Sequence, residues 1–423
     1  MKSISIAPNL SKGWETIRFR YVANTSKGKL PEKSEDELTA EDGVPYLSME
    51  YLRGDAEPSD FVSARGMITA IENDILLLWD GSNAGEFLRA KTGAVSSTAA
   101  LLTPTKFERG YLFWLCKGIE PVLKTFTNGM GIPHVDGEFL KDLRLPYPLD
   151  VNFQRIIASY LDRETARIDG LIAEKERMLA LLEEKRTALI SRVVTRGLDF
   201  NAPLKPSGQE WLGEIPAHWE EIRLGFLVTL QGGATPTTTK DEFWDGDIPW
   251  ASPKDIKKPV LFDTIDHVSE LALSGASISL IEPPALLLVV RGMILAKSVP
   301  TALMAVPMTI NQDMKALKPS GIRIFAGYLK LVFDGLQEPL FMLIEESAHG
   351  TRCLRTDMLT SFKIPVPPVS EQHDIVRAVE IDQRKANALR DSLQLSITLA
   401  KERRASLITA AVTGQIPPGQ MQI

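Results

Sequence analysis

The sequence predicts an α+β chain in which two β-rich mixed domains are separated by two long antiparallel helices, the whole forming a pseudo-twofold internal repeat. Three observations predict it. Trp14-Glu15-Thr16-Ile17-Arg18-Phe19 returns as Trp219-Glu220-Glu221-Ile222-Arg223-Leu224, and Leu145-Pro146-Tyr147-Pro148 returns as Ile364-Pro365-Val366-Pro367. A long charged segment follows each Pro-rich word, and the two segments end alike: Lys185-Arg186-Thr187-Ala188-Leu189-Ile190 with Val194-Thr195, against Arg403-Arg404-Ala405-Ser406-Leu407-Ile408 with Val412-Thr413. A chain of 423 residues also exceeds one ordinary core, so two domains are expected on length alone. A duplicated unit makes a pseudo-symmetric molecule, whose natural partner has two related halves.

Residues 1–150 form the first globular head. Short apolar runs at 45–47, 74–79 and 95–102, bounded by turn residues, predict strands, and Leu112, Leu115, Ile119, Val122 and Leu123 predict a helix over 109–125. Residues 151–205 hold the first long helix and a linker. Between 152 and 195 there is no Pro and the one Gly is Gly170, while Leu161, Ile168, Ile172, Leu179, Leu182, Leu189 and Val193 recur at heptad-like spacing. At 1.5 Å per residue such a helix is roughly 65 Å long. Residues 206–368 form the second head and repeat the order of the first, with apolar runs at 248–250, 285–290 and 310–317 and a helical stretch at 328–344. Residues 369–423 carry the second long helix, with Ile375, Val379, Ala386, Leu389, Leu393, Ala400 and Leu407 on one side. Lys175, Arg186 and Asp382 interrupt the two seams, which favours two helices of one chain packed together over a homodimeric zipper. If the heads sit at opposite ends of this pair, one helix runs out and the other back, and the rod acts as a ruler.

Composition narrows the function class. Hydrophobic content of 44% and charged content of 24% are those of a soluble folded protein. Cys116 and Cys353 stand far apart with no metal-ligand spacing, which fits a reducing compartment and two small buried hydrophobes. No charged-then-apolar leader opens the chain, and the apolar stretch 285–308 is broken by Arg291, Lys297, Pro300 and Pro307; a cytoplasmic protein without membrane contact is expected. The net charge of −6 argues on its face against a nucleic-acid partner. It is unevenly spread, at −4 for residues 1–150, +2 for 151–205, −5 for 206–368 and +1 for 369–423. Glu32, Glu35, Asp36, Glu37, Glu41 and Asp42 supply much of the first head's excess and read as a solvated loop.

Catalytic motifs are missing. Gly28-Lys29 lacks the upstream Gly of a phosphate loop and continues with Leu30, and Gly225 with Gly232-Gly233 has the wrong spacing for a dinucleotide fingerprint. Glu282-Pro283-Pro284-Ala285 lacks the polar side chain and the aromatic that an amino-methyltransferase element needs. There is no His-Glu-x-x-His and no Gly-x-Ser-x-Gly. His134, His218, His267, His349 and His373 show no metal-ligand spacing and read as ordinary surface or core histidines.

The segment Pro206-Ser207-Gly208-Gln209-Glu210-Trp211-Leu212-Gly213-Glu214-Ile215-Pro216-Ala217-His218-Trp219 resembles the opening signature of the DNA-recognition half of specificity subunits of type I restriction-modification systems. The resemblance continues through Gly232-Gly233-Ala234-Thr235-Pro236, Asp247-Ile248-Pro249-Trp250-Ala251-Ser252-Pro253-Lys254-Asp255, and Ile364-Pro365-Val366-Pro367-Pro368 with Glu371-Gln372, and covers essentially the whole chain. The first half departs more. It opens on Asn9-Leu10-Ser11-Lys12-Gly13-Trp14, shows no recognisable Gly-Gly-x-Thr-Pro near Asn24, and has residues 150–153 in place of Pro-x-x-Glu-Gln.

This resemblance implies two target-recognition domains, each reading one half of a split, asymmetric double-stranded DNA site, with the two helices docking two methyltransferase subunits to which restriction endonuclease subunits add. It implies a non-catalytic chain with no cofactor of its own; S-adenosylmethionine, ATP and Mg belong to the partners, whose assembly methylates adenine N6 and cuts DNA. Acidic balance is then tolerable, because basic partners share phosphate neutralisation. Polar, turn-rich loops are the expected readers: Ser48, Arg89, Lys91, Ser96, Ser97, Asn128 and His134 in the first head, and Thr235, Ser252, Lys254, Lys297, Asn311, Gln312, His349, Thr351 and Arg352 in the second. Each could instead cap or turn the chain. Trp14, Trp219 and Trp250 could stack on bases, but helix-to-head packing is the stronger reading. Gly232-Gly233 and residues 129–131 could admit a DNA backbone or simply turn. Two alternatives stay open: a degenerate scaffold without a DNA role, and the recognition part of a methyltransferase-endonuclease.

Overall fold

A computed structural model describes residues 12–31, 42–127, 133–276, 278–346 and 350–421. The chain forms two compact units, Met1–Glu176 with Gln394–Ile423, and Arg177–Leu393. Each is built the same way.

In the first unit the two repeated words are partners in one ladder: strand Trp14–Arg18 pairs antiparallel with Arg144–Pro148, from Trp14 opposite Pro148 to Arg18 opposite Arg144. In the second unit Glu220–Arg223 pairs in the same way with Lys363–Val366. The repeat is therefore a repeat of paired strands that tie the beginning of a head to its end. Behind this ladder the first head has a four-stranded antiparallel sheet in the order Ala23–Lys27, Ala99–Pro104, Ile75–Leu78, Phe87–Arg89. Its second sheet runs Phe61–Val62, Val44–Leu47, Gly93–Val95, Thr69–Ala70, with Val44–Leu47 and Gly93–Val95 parallel. The second head has a five-stranded sheet, Val228–Gly232, Met314–Pro319, Ala285–Val289, Thr301–Met304, Val260–Leu261, and a three-stranded one, Asp266–Val268, Ile248–Ala251, Thr309–Ile310. Ile75–Leu78 and Ala285–Val289 are buried at every residue, which is why both read as unbroken apolar runs rather than alternating ones.

Three expected elements are divided. The run 95–102 is two strands in different sheets, Gly93–Val95 and Ala99–Pro104, and 310–317 likewise divides into Thr309–Ile310 and Met314–Pro319. The polar triplets Ser96-Ser97-Thr98 and Asn311-Gln312-Asp313 make the corner. The stretch 328–344 is also divided, into helices Ala326–Gly335 and Gln337–Phe341 and the start of strand Ile344–Glu346. Helix Arg109–Thr125 forms as expected and buries Tyr111, Leu112, Leu115, Cys116 and Ile119.

The long helices are Val151–Arg196, of 46 residues, and Val369–Val412, of 44 residues. In the first unit Phe153, Ile157, Leu161, Ile408, Ala411 and Val412 join the core of the head, and in the second Ile190, Val193, Val194, Ile375 and Val379 do so. Each head thus packs the start of one long helix and the end of the other. Their direction is antiparallel: in the first unit Asp169 pairs with Arg404 at 2.8 Å and Glu176 with Lys401 at 3.3 Å. In the second unit Lys185, Arg186, Asp382 and Lys385 line the seam beside Leu182 and Ala386, so charge replaces core there. Leu389, expected on the seam, lines it beside Leu182 and Ala386 but stays exposed, whereas Leu393 and Ile397 are buried.

Glycine ends both helices for the same reason. Gly197 and Gly414 have φ of +73° and +76°, and a Cβ there would lie 3.1 Å from Trp219 and 2.7 Å from Trp14 respectively. Trp14 and Trp219 are consequently packing residues, buried under these turns, and do not present a face for base stacking. Gln372, fully buried at the start of the second long helix, accepts from Phe325 N and donates to Arg323 O and Pro367 O. Gln154 does the corresponding job in the first unit by donating to Pro148 O at 3.0 Å, although the sequence around it has lost the Pro-x-x-Glu-Gln word. Phe153 then stands edge-on to Trp14, where Glu371 accepts from Trp219 Nε1 at 3.1 Å. Of the cysteines, Cys116 is buried, which pushes its thiol pKa up, while Cys353 is only half-buried, on a hairpin.

Candidate nucleic-acid interface

The backbone at one end of each head follows the same hydrogen-bonded course. In the second head the amides of Val290 and Arg291 both donate to Asp313 O, Leu354 N donates to Val290 O, and Gly292 N donates to Arg352 O. In the first, Trp79 and Asp80 both donate to Thr98 O, Val135 N to Trp79 O, and Gly81 N to Pro133 O. Asp80 bridges His134 as Arg291 bridges Cys353. Gly81 and Gly292 occupy the positive-φ region, at +102° and +132°, which an L side chain resists.

A third loop closes on the same corner. A Cβ on Gly233 would collide with the carbonyl oxygens of Ile310 and Asn311, and a Cβ on Gly28 would collide with those of Val95 and Ser96. With Gly28 and Gly233 matched, Gly28-Lys29-Leu30-Pro31 is the counterpart of Gly233-Ala234-Thr235-Pro236, a match that the words alone hide. The next residue's carbonyl is held by an aromatic donor in both: Trp250 Nε1 to Ala234 O at 3.0 Å, and Tyr46 OH to Lys29 O at 3.5 Å. Trp250 is thereby buried as a strut under the loop.

The residues expected to read DNA fall on this frame unevenly. Several hold it together. Ser252 N and Oγ donate to Asp255 Oδ2, Asn311 Oδ1 accepts from Asp313 N, Ser96 Oγ meets Thr98 Oγ1 at 3.2 Å, and all three side chains are buried. Ser48 caps helix Met49–Arg53 by accepting from Tyr51 N, and Ser97 N donates to Tyr46 OH. Arg89 fastens the first head to its long helix, 2.6 Å from Asp162 and over the Phe113 ring. Lys91 lies over the Tyr51 ring at 4.1 Å.

Others project outward. Thr235 and Gln312 are exposed and hydrogen-bonded to each other, joining the Gly-rich loop to the corner. Lys254 is exposed and bound to Asp266 at 2.6 Å; that carboxylate raises its pKa. Lys297 is exposed with no ion pair among the described residues. Thr351 and Arg352 are half-buried on the adjoining hairpin, Arg352 facing Glu346 at 3.5 Å, and His134 is exposed beside the first head's corner. Asn128 and His349 lie outside the described residues, as do the glycines at 129–131 and all of the acidic cluster except Asp42. Among the described residues no group of three His, Cys, Asp or Glu side chains could hold a metal ion, and no helix is long and apolar enough to cross a membrane.

Sequence reasoning passed over Arg291, naming it only as a break in the apolar stretch 285–308, although Asp80-Gly81 follows the run 74–79 as Arg291-Gly292 follows 285–290. That alignment was the signal for it.

The family described as "Type I restriction modification DNA specificity domain" matches residues 11–178 and 216–394, one copy on each head. The chain belongs to this family. Its relatives include the type I restriction enzyme EcoR124I/EcoR124II specificity subunit of Escherichia coli, 34% identical over 346 residues, which are 80% of each chain. The MjaVIII specificity subunit of Methanocaldococcus jannaschii is 37% identical over 223 residues, 52% of this chain and half of that protein's length. Two solved structures share the fold at 16% identity. A chain from work on complex assembly and conformational transition of the type I R-M system has a TM-score of 0.73, covering 96% of this chain and all of that one. The HsdS subunit of Thermoanaerobacter tengcongensis has a TM-score of 0.54, covering 97% and 99%. As a type I specificity subunit the chain serves DNA sequence recognition, in a family that is generally non-catalytic.

Proposed function

We propose that each head reads one half of a split, asymmetric double-stranded DNA site and that the long helices dock two methyltransferase subunits. One observation carries this reading: the two heads hold the same loop frame by the same backbone bonds and present different side chains from it. Leu30 stands against Thr235, Ser97 against Gln312, Thr98 against Asp313, and Asp80 against Arg291. A shared frame with altered edges suits two related tasks on two different base sequences. Thr235, Gln312, Lys254, Lys297, Thr351 and Arg352 then form the second head's reading edge, and Ser97 and His134 serve the first; His349 and Asn128, outside the described residues, are proposed as readers from the sequence alone. Ser48, Ser96, Ser252, Asn311 and Arg89 shape that edge from behind, and Lys91 supports it.

Exposed apolar side chains on the long helices support the docking role: Leu171, Leu395 and Leu399 in the first unit, and Met178, Leu181, Ile381 and Leu389 in the second. Restriction subunits add to that complex, and S-adenosylmethionine, ATP and Mg are held by the partners. Transfer to adenine N6 needs the base out of the stack, chemistry for which this chain offers no motif.

Incubation with DNA and labelled S-adenosylmethionine tests the reading. The chain alone is expected to transfer no methyl group, and the chain with its methyltransferase partner to bind and methylate one split motif. Transfer by the chain alone would favour the methyltransferase-endonuclease alternative, and a complex that forms but fails to retard DNA would favour the scaffold.

A further inference from the structure

The two heads invert charge at one fixed backbone position. Asp80 and Arg291 each follow a fully buried strand, each donates its amide to the corner carbonyl opposite, and each precedes a positive-φ glycine. Side chains at this position therefore leave from a rigid base. In the first head Asp80 is met by Lys27 at 2.7 Å. The register of the neighbouring strands matches Lys27, opposite Ala100, to Gly232, opposite Lys315. Charge inversion that merely preserved an ion pair would place an acid at 232. Instead the partner side chain is gone, and Arg291 is exposed with no ion pair among the described residues.

The surroundings add positive charge. Lys315 Nζ lies 3.8 Å from where a Gly232 Cβ would stand, and Lys297 is exposed one short turn beyond Gly292. Of the nearby acids, Glu346 faces Arg352, and Asp313 holds Val290, Arg291 and Asn311 through its backbone while its carboxylate makes no ion pair with Arg291 among the described residues. A guanidinium on a fixed backbone, whose amide is held by the residue that follows Gln312, suits bidentate recognition of guanine O6 and N7 in the major groove. A side chain that leaves from a fixed backbone spares the entropy of ordering a loop on binding.

We propose that Arg291 reads a guanine in the half-site of the second head, which rests on the split-site reading above. At the same position the first head offers a carboxylate whose charge Lys27 balances, so the two heads cannot read the same base there.

The test uses the full chain in complex with its methyltransferase partner, comparing wild type, Arg291→Ala and Arg291→Lys by methylome sequencing and by DNA binding across a salt series. Arg291 is exposed, so both variants should fold, and thermal melting checks this. Base reading predicts that both variants relax one guanine position in one half-site only, with affinity for the original motif falling about ten- to hundred-fold. Arg291→Lys keeps the charge and loses the fork. A phosphate contact instead predicts an unchanged motif, a near-wild-type Arg291→Lys, and an Arg291→Ala that binds all sequences more weakly with a salt slope lower by about one; that result overturns the proposal. So does a second-head half-site with no G·C pair. A wild-type complex that writes no split motif overturns the reading on which the proposal rests, and the wild-type sample alone reveals it.

Discussion

Replacing residues 206–368 with the corresponding head of another type I specificity subunit is expected to change one half of the methylated DNA motif and leave the other half identical base for base. The ladder Glu220–Arg223 with Lys363–Val366 brings the two ends of this segment together, so a replacement enters and leaves at neighbouring points. The core that the segment shares with the long helices is made by side chains of recurrent type: Tyr328 occupies the place of Tyr111, and Val194 approaches Gly335 as Val412 approaches Gly118. A donor head with these residues should seat without repacking. Specific and non-specific DNA binding typically differ by about 10³–10⁷, so the old half-site should become invisible to methylation and a new one appear. Methylome sequencing reads the result. Changes in both halves would mean that the heads do not read independently.

A single methyl group should distinguish two adjacent glycines. Gly233→Ala is expected to destabilise the second unit by about 3 kcal/mol or more, because its Cβ falls on the Ile310 and Asn311 carbonyls, which are held in the corner. Gly232→Ala should stay within about 0.5 kcal/mol, since the nearest atom to its Cβ is the flexible end of Lys315 at 3.8 Å. Gly28→Ala should damage the first unit as Gly233→Ala damages the second, for the same reason. Urea denaturation of the three variants reads the differences. Equal tolerance of Gly232→Ala and Gly233→Ala would contradict the close approach that defines the shared corner.

Much of this architecture was legible because the duplicated words coincide with obligatory structure. Trp14 and Trp219 fill the space above helix-ending glycines, and the Pro-rich words are the strands that close each head, so neither drifts freely. The long helices were legible from the absence of Pro and the recurrence of Leu and Ile. Local polarity hid the rest. Apolar runs 95–102 and 310–317 look continuous, yet three polar residues turn each from one sheet into another, where amides from a distant strand capture the corner carbonyl. Gly28-Lys29-Leu30-Pro31 escaped notice because only two of its four residues, Gly28 and Pro31, match their counterparts, and of these it is the glycine that the close backbone approach requires. At the reading edge, residue type alone could not separate Arg89, which spans to Asp162, from Arg291, which has no such mate among the described residues. Arg89 ends one strand and Arg291 follows another; only tertiary context assigns them.

The most direct test of the account is single-molecule methylome sequencing of cells that co-express this chain with its methyltransferase partner, beside cells with the partner alone. The account predicts a new split motif bearing N6-methyladenine, present only with this chain, whose two halves respond separately to changes in the two heads. A soluble complex that leaves the methylome unchanged would contradict it.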